Sequence, residues 1–454
     1  MDSIFLLPVH ENYLVYAPLV GKTALINASA AHDLKKAMET KRAPKHHGLV
    51  DLFKALGNPA YPVPIPKTGD LSPEFLGIIP TRFCNSRCNY CDFGVMDAPD
   101  APMTLIMAVR CVDWYANLVK SQKGEVLKIH FFGGEPMDAP DLVTAVVHRA
   151  RLMAKAHDLI PEFGISTNGQ YEPQWALFLG DYFDSVVLSF DGPADIQNSH
   201  RPLKGGRESF SGAIRTAGII GNSQADLLLR ACVSQKNVDS MAETTQWFCE
   251  TFAPTKINFE VMQETKRARS HGLFRPDPVT FASGFIKARA VASSYGVPVV
   301  YGSDITDPQW TSCPVGKDTV ILTPDGRISS CYLMPERWEE KTMDLTLGQM
   351  DNGGVVTINP KAVDKIRTLV TDKPRCSRCF CRWSCAGGCH VDNTWPGCSD
   401  GFSDFCVQTR IISAATLMDH LGMNDEAGIM ADTLSLMNQI ALQASDRLSD
   451  WKGN

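Results

Sequence analysis

Between residues 73 and 300 the chain repeats one unit, a short apolar run followed by a longer amphipathic stretch. The apolar runs are Leu76–Pro80, Leu127–Phe132, Glu162–Ser166, Ser185–Phe190, Leu227–Val233 and Lys256–Val261. Their length suits strands rather than helices. Between them, apolar residues recur at helical spacing, for example over Leu105–Val119, Asp141–Ala156 and Phe281–Ser294. Six strand–helix units in a row imply a parallel sheet, because each helix returns the chain to the end where its strand began. Such sheets gather their chemistry at the C-terminal ends of the strands. The expected fold class is α/β.

The flanking sequence does not keep this rhythm. Residues 1–57 alternate early, in IFLLPV, YLVYAPL and TALINA, and turn helical at Ala30–Met38. That predicts a small N-terminal α+β element. The four prolines of Asn58–Asp70 read as an extended linker. Beyond residue 301 the chain is cysteine-rich and punctuated by Gly and Pro. Residues 407–448 are helical again, with Ile411, Ala415, Leu417 and Leu421 at helical spacings. The expected divisions are 1–72, 73–300, 301–406 and 407–454.

Composition narrows the function. Net charge is −6 over 454 residues, with no Lys/Arg block, so no nucleic-acid surface is expected. Ile4–Leu7 is too short for a signal h-region and has no basic segment before it. No apolar run approaches the ~18 residues of a membrane span. A cytoplasmic chain without a membrane partner is the expectation. Fifteen is an odd number of cysteines, which argues against a complete set of internal disulfides. Nine of the fifteen fall between Cys313 and Cys406, a clustering that suits metal ligands better than bridges.

Cys84, Cys88 and Cys91 stand in CNSRCNYC with C-x3-C-x2-C spacing, and Tyr90 precedes the third. Three thiolates this close can face one inorganic core, one ligand short of the four that a cubane iron–sulfur cluster takes. The remaining iron is then open to a small molecule. Zinc motifs instead pair C-x2-C with a distant second pair. FFGGEP follows, with Gly133, Gly134 and Glu135 directly after an apolar strand. Glycines there admit a close backbone approach to a ligand, and the carboxylate can accept hydrogen bonds from an ammonium group. STNG (Ser166–Gly169), LSFDGP (Leu188–Pro193) and HRPLKGGRESF (His200–Phe210) come next, in that order.

This ordered set resembles the radical S-adenosylmethionine (SAM) superfamily. The resemblance implies a partial (β/α)6 TIM-like barrel, with SAM chelating the open iron of a [4Fe–4S] cluster held by Cys84, Cys88 and Cys91. It implies that Gly133, Gly134 and Glu135 hold the methionine amino group. Tyr90, Ser166, Asn168 and Asp191 are the other expected cofactor contacts. Ser189 and Arg201 would meet the SAM carboxylate or ribose, and Arg207 competes with Arg201 for that role. A plain strand serine and a turn-forming aspartate are the ordinary explanations of Ser189 and Asp191.

A second cysteine system opens with C-x12-G-x4-C through Cys313, Gly326 and Cys331. Cys376, Cys379, Cys385 and Cys389 follow as C-x2-C-x5-C-x3-C, and Cys398 or Cys406 comes last. This resembles the SPASM domain, which typically holds two auxiliary [4Fe–4S] clusters. By that resemblance Cys313, Cys331 and Cys389 would bind the first, and Cys376, Cys379, Cys385 and Cys406 the second. Pro314–Ser330 contains no further cysteine, so the first auxiliary cluster would keep an open iron or take Cys398 or a substrate atom. Cys381 and Cys398 are extra to the pattern, and Cys111, Cys232 and Cys249 read as small buried thiols. The alternative for the whole region is a pair of zinc ribbons.

The resemblance implies an oxidoreductase that generates a 5′-deoxyadenosyl radical and acts on a peptide or protein, with SAM and three [4Fe–4S] clusters. The leading expectation is a maturase that cross-links a small ribosomal precursor peptide through a carbon–carbon or thioether bond. The N-terminal element would then grip a leader by strand addition, or else simply cap the barrel. Flavodoxin or ferredoxin is the expected electron donor. A second expectation is formylglycine formation of the sulfatase-maturating kind. That branch places an aspartate after the cysteine of G-x4-C, whereas Tyr332 stands here as the candidate catalytic residue, leaving Asp304 and Glu260 as candidate bases. A non-catalytic iron–sulfur protein for electron transfer or redox sensing is the alternative of another class.

Overall fold

The computed structural model describes residues 3–91, 93, 102–302, 307–340, 342–392, 402–443 and 445–452. Strands β1 (Phe5–Val9), β2 (Asn12–Ala17) and β3 (Lys22–Asn27) form a three-stranded antiparallel sheet. The Asn27 side chain accepts from the Ala30 N–H and caps the helix Ala28–Thr40 that follows at once. Ile4, Leu6, Val15 and Ala17 pack in one cluster with Ala31, Leu34 and Leu448.

The later strands are β4 (Leu76–Ile78), β5 (Val126–Phe131), β6 (Ile160–Thr167), β7 (Ser185–Ser189), β8 (Asp226–Val233) and β9 (Lys256–Val261). They are followed by β10 (Val299–Val300), β11 (Val320–Leu322), β12 (Arg327–Ser329), β13 (Thr346–Met350) and β14 (Val356–Ile358). All eleven lie in one sheet, in the order β10-β9-β8-β7-β6-β5-β4-β11-β12-β13-β14. Strands β4 to β10 run parallel to one another. The six apolar runs of the sequence are β4 to β9. The order is open, so the barrel is partial.

Strand β5 shows how the sheet sorts its faces. Leu127, Ile129 and Phe131 are fully buried, beside the helices Leu105–Ser121 and Pro140–His157. Lys128 and His130, one residue out of step, lie on the opposite face. Register carries that face across the sheet: His130 is opposite Gly164, Ser189 opposite Arg230, and Cys232 opposite Glu260. One face is therefore an apolar seat for helices and the other is polar.

The cysteine-rich region does not build a sheet of its own. Strand β11 pairs in parallel with β4, and β12 to β14 continue as an antiparallel meander. The helices Asp404–His420, Asn424–Asp432 and Leu434–Leu442 close the fold. Among the described residues no helix is long and apolar enough to cross a membrane.

The proline-rich linker is tied down at one point. Arg367 donates from Nε to Asp318 Oδ1 (2.7 Å), from Nη1 to the Gly69 carbonyl (2.8 Å) and from Nη2 to the Asp70 carbonyl (3.1 Å). Asp318 also accepts from the Ser72 N–H (2.9 Å). Both ionic side chains are almost fully buried, at 2% and 1% exposure. Removing one partner of such a pair strands the other charge. Arg367→Ala should cost about 3–5 kcal/mol and lower the thermal midpoint clearly. An unchanged midpoint would show that the linker is not anchored there.

Candidate active site

The loop that carries Cys84, Cys88 and Cys91 has no helix or strand of its own, so its shape is borrowed. On one side Gly134 N–H donates to the Thr81 carbonyl (3.1 Å) and Glu135 N–H to the Phe83 carbonyl (2.9 Å). On the other, Arg87 N–H donates to Pro202 (2.7 Å), Asn89 N–H to His200 (2.8 Å) and Lys204 N–H to Asn85 (3.1 Å), with Ser86 and Leu203 bridged antiparallel. The FFGGEP and HRPLKGG segments are thus the two walls of the cysteine loop. A Cβ on Gly134 would lie 2.0 Å from the Phe83 carbonyl oxygen, and one on Gly133 (φ +147°) 2.7 Å from that of Thr81. The close approach these glycines allow is to the chain's own backbone.

Glu135 is buried and accepts from the Thr167 hydroxyl (2.7 Å), the Asn168 N–H (2.7 Å) and the Met137 N–H (3.0 Å). Burial pushes its carboxyl up to about 7 against these three donors. It thereby joins the end of β5 to the end of β6. From there the Asn168 side-chain amide reaches Ser86 Oγ (2.9 Å), Asn85 Oδ1 (2.8 Å) and Cys84 Sγ (3.6 Å). Asp138, three residues past Glu135, accepts from the Asn85 N–H (2.8 Å).

Asp191 is the second anchor. It is fully buried just past β7, and it accepts from the Tyr90 hydroxyl (3.0 Å) and the Cys232 N–H (2.8 Å). Its carboxylate lies 3.2 Å from His200 Nδ1 and 3.0 Å from Arg201 Nε. Burial opposes its charge, yet Arg201 and His200 hold its carboxyl down at about 2. The Arg201 guanidinium sits over the Tyr90 ring at 5.3 Å. Arg207 is exposed, so of the two candidate arginines Arg201 is the one at the cysteine loop.

Ser166 and Ser189 lie elsewhere. Ser166 Oγ is 3.1 Å from His130 Nε2 on the polar face of the sheet, and Ser189 ends β7 opposite Arg230. Tyr332 shares an apolar cluster with Cys91, Phe93, Phe132 and Met334. Its hydroxyl is buried without a partner, and a Cβ on Gly77 would lie 2.6 Å from it. Burial pushes this phenol up, so it stays protonated and is a poor base. Glu260 lies 3.9 Å from Arg230 Nε and accepts from the Asn258 side-chain amide (3.0 Å). Asp304 and Cys398 lie outside the described residues.

The three thiols fit an iron–sulfur core by their charge. Burial pushes Cys84 up and Cys88 up to about 12; Glu135, Cys88 and Cys91 further oppose the ionisation of Cys84, and Cys91 that of Cys88. Such thiols become thiolates only beside added positive charge, which iron supplies.

Residues 78–227 match the family model of the radical SAM superfamily. This stretch is a radical SAM domain. The radical SAM cyclopropyl synthase TigE of Paramaledivibacter caminithermalis is 21% identical over 192 residues, which cover 40% of this chain and 39% of that protein. The chain thus matches well under half the length of this curated relative. Among solved structures, anSMEcpe with bound AdoMet and Cp18Cys peptide superposes with a TM-score of 0.60 at 17% identity, covering 80% of this chain and all of that one. Streptococcus suis SuiB bound to S-adenosylmethionine gives 0.51 at 12% identity, covering 86% and 95%. At these identities the likeness is one of fold.

The second cysteine system also separates into groups. Cys313 opposes the ionisation of Cys331 and Cys389, Cys331 that of Cys389, and Cys331 is pushed up to about 12 chiefly by burial. Asp392 acts on all three, and its N–H donates to Cys389 Sγ (3.4 Å). Its carboxylate accepts from Gln263 (2.6 Å), just past β9, and lies 3.5 Å from Arg337. Cys376 faces Cys379 and Cys406. Cys381 lies inside this second group, hydrogen-bonded to Cys379 and beside Cys385. That bond holds the Cys379 thiol down at about 7 despite burial. Among the described residues no three His, Cys, Asp or Glu side chains converge to hold a single metal ion. Ligands of a four-iron cluster each bind a different iron, so they stand further apart than those of one zinc.

Sequence reading missed Asp392, Arg410 and the place of Cys381, none of which belongs to a spaced motif. Gly134→Ala forces the backbone before Cys84 to move. Iron per chain should fall by about four relative to the native protein after anaerobic reconstitution. Undiminished iron would contradict the arrangement of this loop.

Proposed function

We propose that this chain is a radical SAM enzyme that modifies a peptide, and that its product is an intramolecular cross-link in a ribosomally made precursor. The observation that carries the reading is the cysteine loop: three thiols on one short loop, walled by the FFGGEP and HRPLKGG segments and braced by Glu135 and Asp191. Cys84, Cys88 and Cys91 would hold a [4Fe–4S] cluster with SAM on its open iron. Bound there and reduced, the pair supplies a 5′-deoxyadenosyl radical that takes a hydrogen atom from a substrate C–H bond.

The chain's own residues position and insulate. Asn168 and Asp138 fix the start of the cysteine loop, and Arg201 with Asp191 fixes Tyr90 beside its third cysteine. The apolar cluster of Ile79, Phe93, Phe132 and Tyr332 keeps water from that side. In this reading Cys313, Cys331 and Cys389 hold one auxiliary cluster, and Cys376, Cys379, Cys385 and Cys406 another, in a SPASM-type region over 301–406. These would accept the electron released when the substrate radical is oxidised. Flavodoxin or ferredoxin would feed the first cluster, in a reducing cytoplasm that suits thiolate ligands better than disulfides.

Two features support a peptide. A relative in fold is described with a bound peptide. The N-terminal sheet also offers β3 as an outer edge with no strand beyond it among the described residues, and an extended leader can add to such an edge. Formylglycine formation is the second reading, and Tyr332, a protonated phenol where that branch has a carboxylate, weighs against it.

The test is anaerobic incubation with SAM, dithionite and a candidate precursor peptide. The expected result is 5′-deoxyadenosine together with a peptide lighter by two hydrogens. Failure of the cluster-loaded protein to cleave SAM would sink the enzyme reading and favour an electron carrier.

A further inference from the structure

The stretch 445–448 runs back across the molecule and joins regions far apart in sequence. Leu6 N–H donates to the Asp446 carbonyl (2.7 Å) and Leu448 N–H to that of Ile4 (2.8 Å), so the outer edge of β1 is closed. The same residues grip the turn that bears Cys376 and Cys379. Asp446 N–H donates to the Arg378 carbonyl (3.2 Å), and its carboxylate accepts from the Phe380 N–H (3.0 Å). The Arg447 guanidinium donates twice to the Ser377 carbonyl (3.1 and 2.7 Å).

At the centre of this strap lies Arg410, from the helix Asp404–His420, with a side chain only 1% exposed. Its Nη1 and Nη2 pair with the two Asp446 carboxylate oxygens. Nε donates to the Ile440 and Ala441 carbonyls (3.2 and 3.0 Å) at the end of the helix Leu434–Leu442. The guanidinium lies over the rings of Phe402 (4.3 Å) and Phe380 (5.2 Å). Its remaining Nη1 donor is aimed at Cys379 Sγ, 3.2 Å away. A buried guanidinium is costly unless its donors are used, and here every nitrogen has an acceptor. The direction of the donor at sulfur is therefore fixed by the rest of the network.

We propose that Arg410 is a positioning residue that sets the reduction potential of the cluster at Cys376, Cys379, Cys385 and Cys406, through a charge-assisted N–H···S bond to the Cys379 sulfur. The proposal rests on the auxiliary-cluster reading above. Hydrogen bonds to ligand sulfurs and local net charge are the protein's main levers on such potentials. A donor stabilises the reduced, more negative cluster, so it moves the potential upward. Asp446 fixes the donor in place and balances its charge.

The native protein, labelled with 15N-arginine and partly reduced, is the first sample. Hyperfine spectroscopy should find one 15N coupled to an auxiliary cluster. Arg410→Lys keeps a charge for Asp446 but not the fork. It should lose that coupling and shift one auxiliary midpoint to more negative potential in a redox titration, leaving the SAM-binding cluster unmoved. About twelve irons per native chain with no 15N coupling would overturn the proposal itself. About four irons would overturn the auxiliary-cluster reading beneath it.

Discussion

A loop without secondary structure must still pair its buried backbone groups, and that requirement organises the mouth of this barrel. Within residues 84–91 the Cys91 N–H donates to the Cys88 carbonyl (3.2 Å), and most of the other backbone groups look outward. These residues take partners from the His200–Lys204 backbone, Asp138, the Gln170 carbonyl and Arg267, while Gly134 and Glu135 hold the backbone just before them, so segments that follow several different strands determine where the three sulfurs stand. Two buried carboxylates lock those segments together. Glu135 gathers donors from the β6 end, and Asp191 gathers Tyr90, His200, Arg201 and Cys232 N–H. Neither could stay in place as an isolated charge, because the interior would neutralise it. Each is kept by the donors that make it useful.

The cysteine-rich region is joined to this site by three kinds of contact. Strand β11 extends the barrel sheet beyond β4. Tyr332, next to Cys331, packs in one cluster with Cys91 and Phe93, so the two cysteine systems are separated there by only a few apolar side chains. Asp392, beside Cys389, is tied to Gln263 at the end of β9. A region so attached cannot swing freely relative to the barrel.

The sheet was legible because its strands are apolar runs set apart by turns, and all six runs became β4 to β9. The motifs FFGGEP, LSFDGP and HRPLKGG were legible as well, but the neighbours they meet within the chain were not. Gly134 reads as room for a ligand, and the Phe83 carbonyl already stands against it. Ser166 and Asn168 both read as cofactor contacts; Ser166 lies against His130, and Asn168 reaches the cysteine loop. Such differences turn on which side chain faces which strand end, and spacing along one chain does not carry that information. Arg410 left a single trace, a cation inside the helical run VQTRIISAATLM. Its partner, Asp446, stands in a short stretch with no periodicity to mark it.

The central claim is that ten described cysteines serve three iron–sulfur clusters, one of them open to SAM. Iron and acid-labile sulfide per chain, measured after anaerobic purification and reconstitution, test it most directly. The account predicts about twelve of each. About four of each, with the remaining cysteines binding zinc, would contradict it and leave only the first cluster standing.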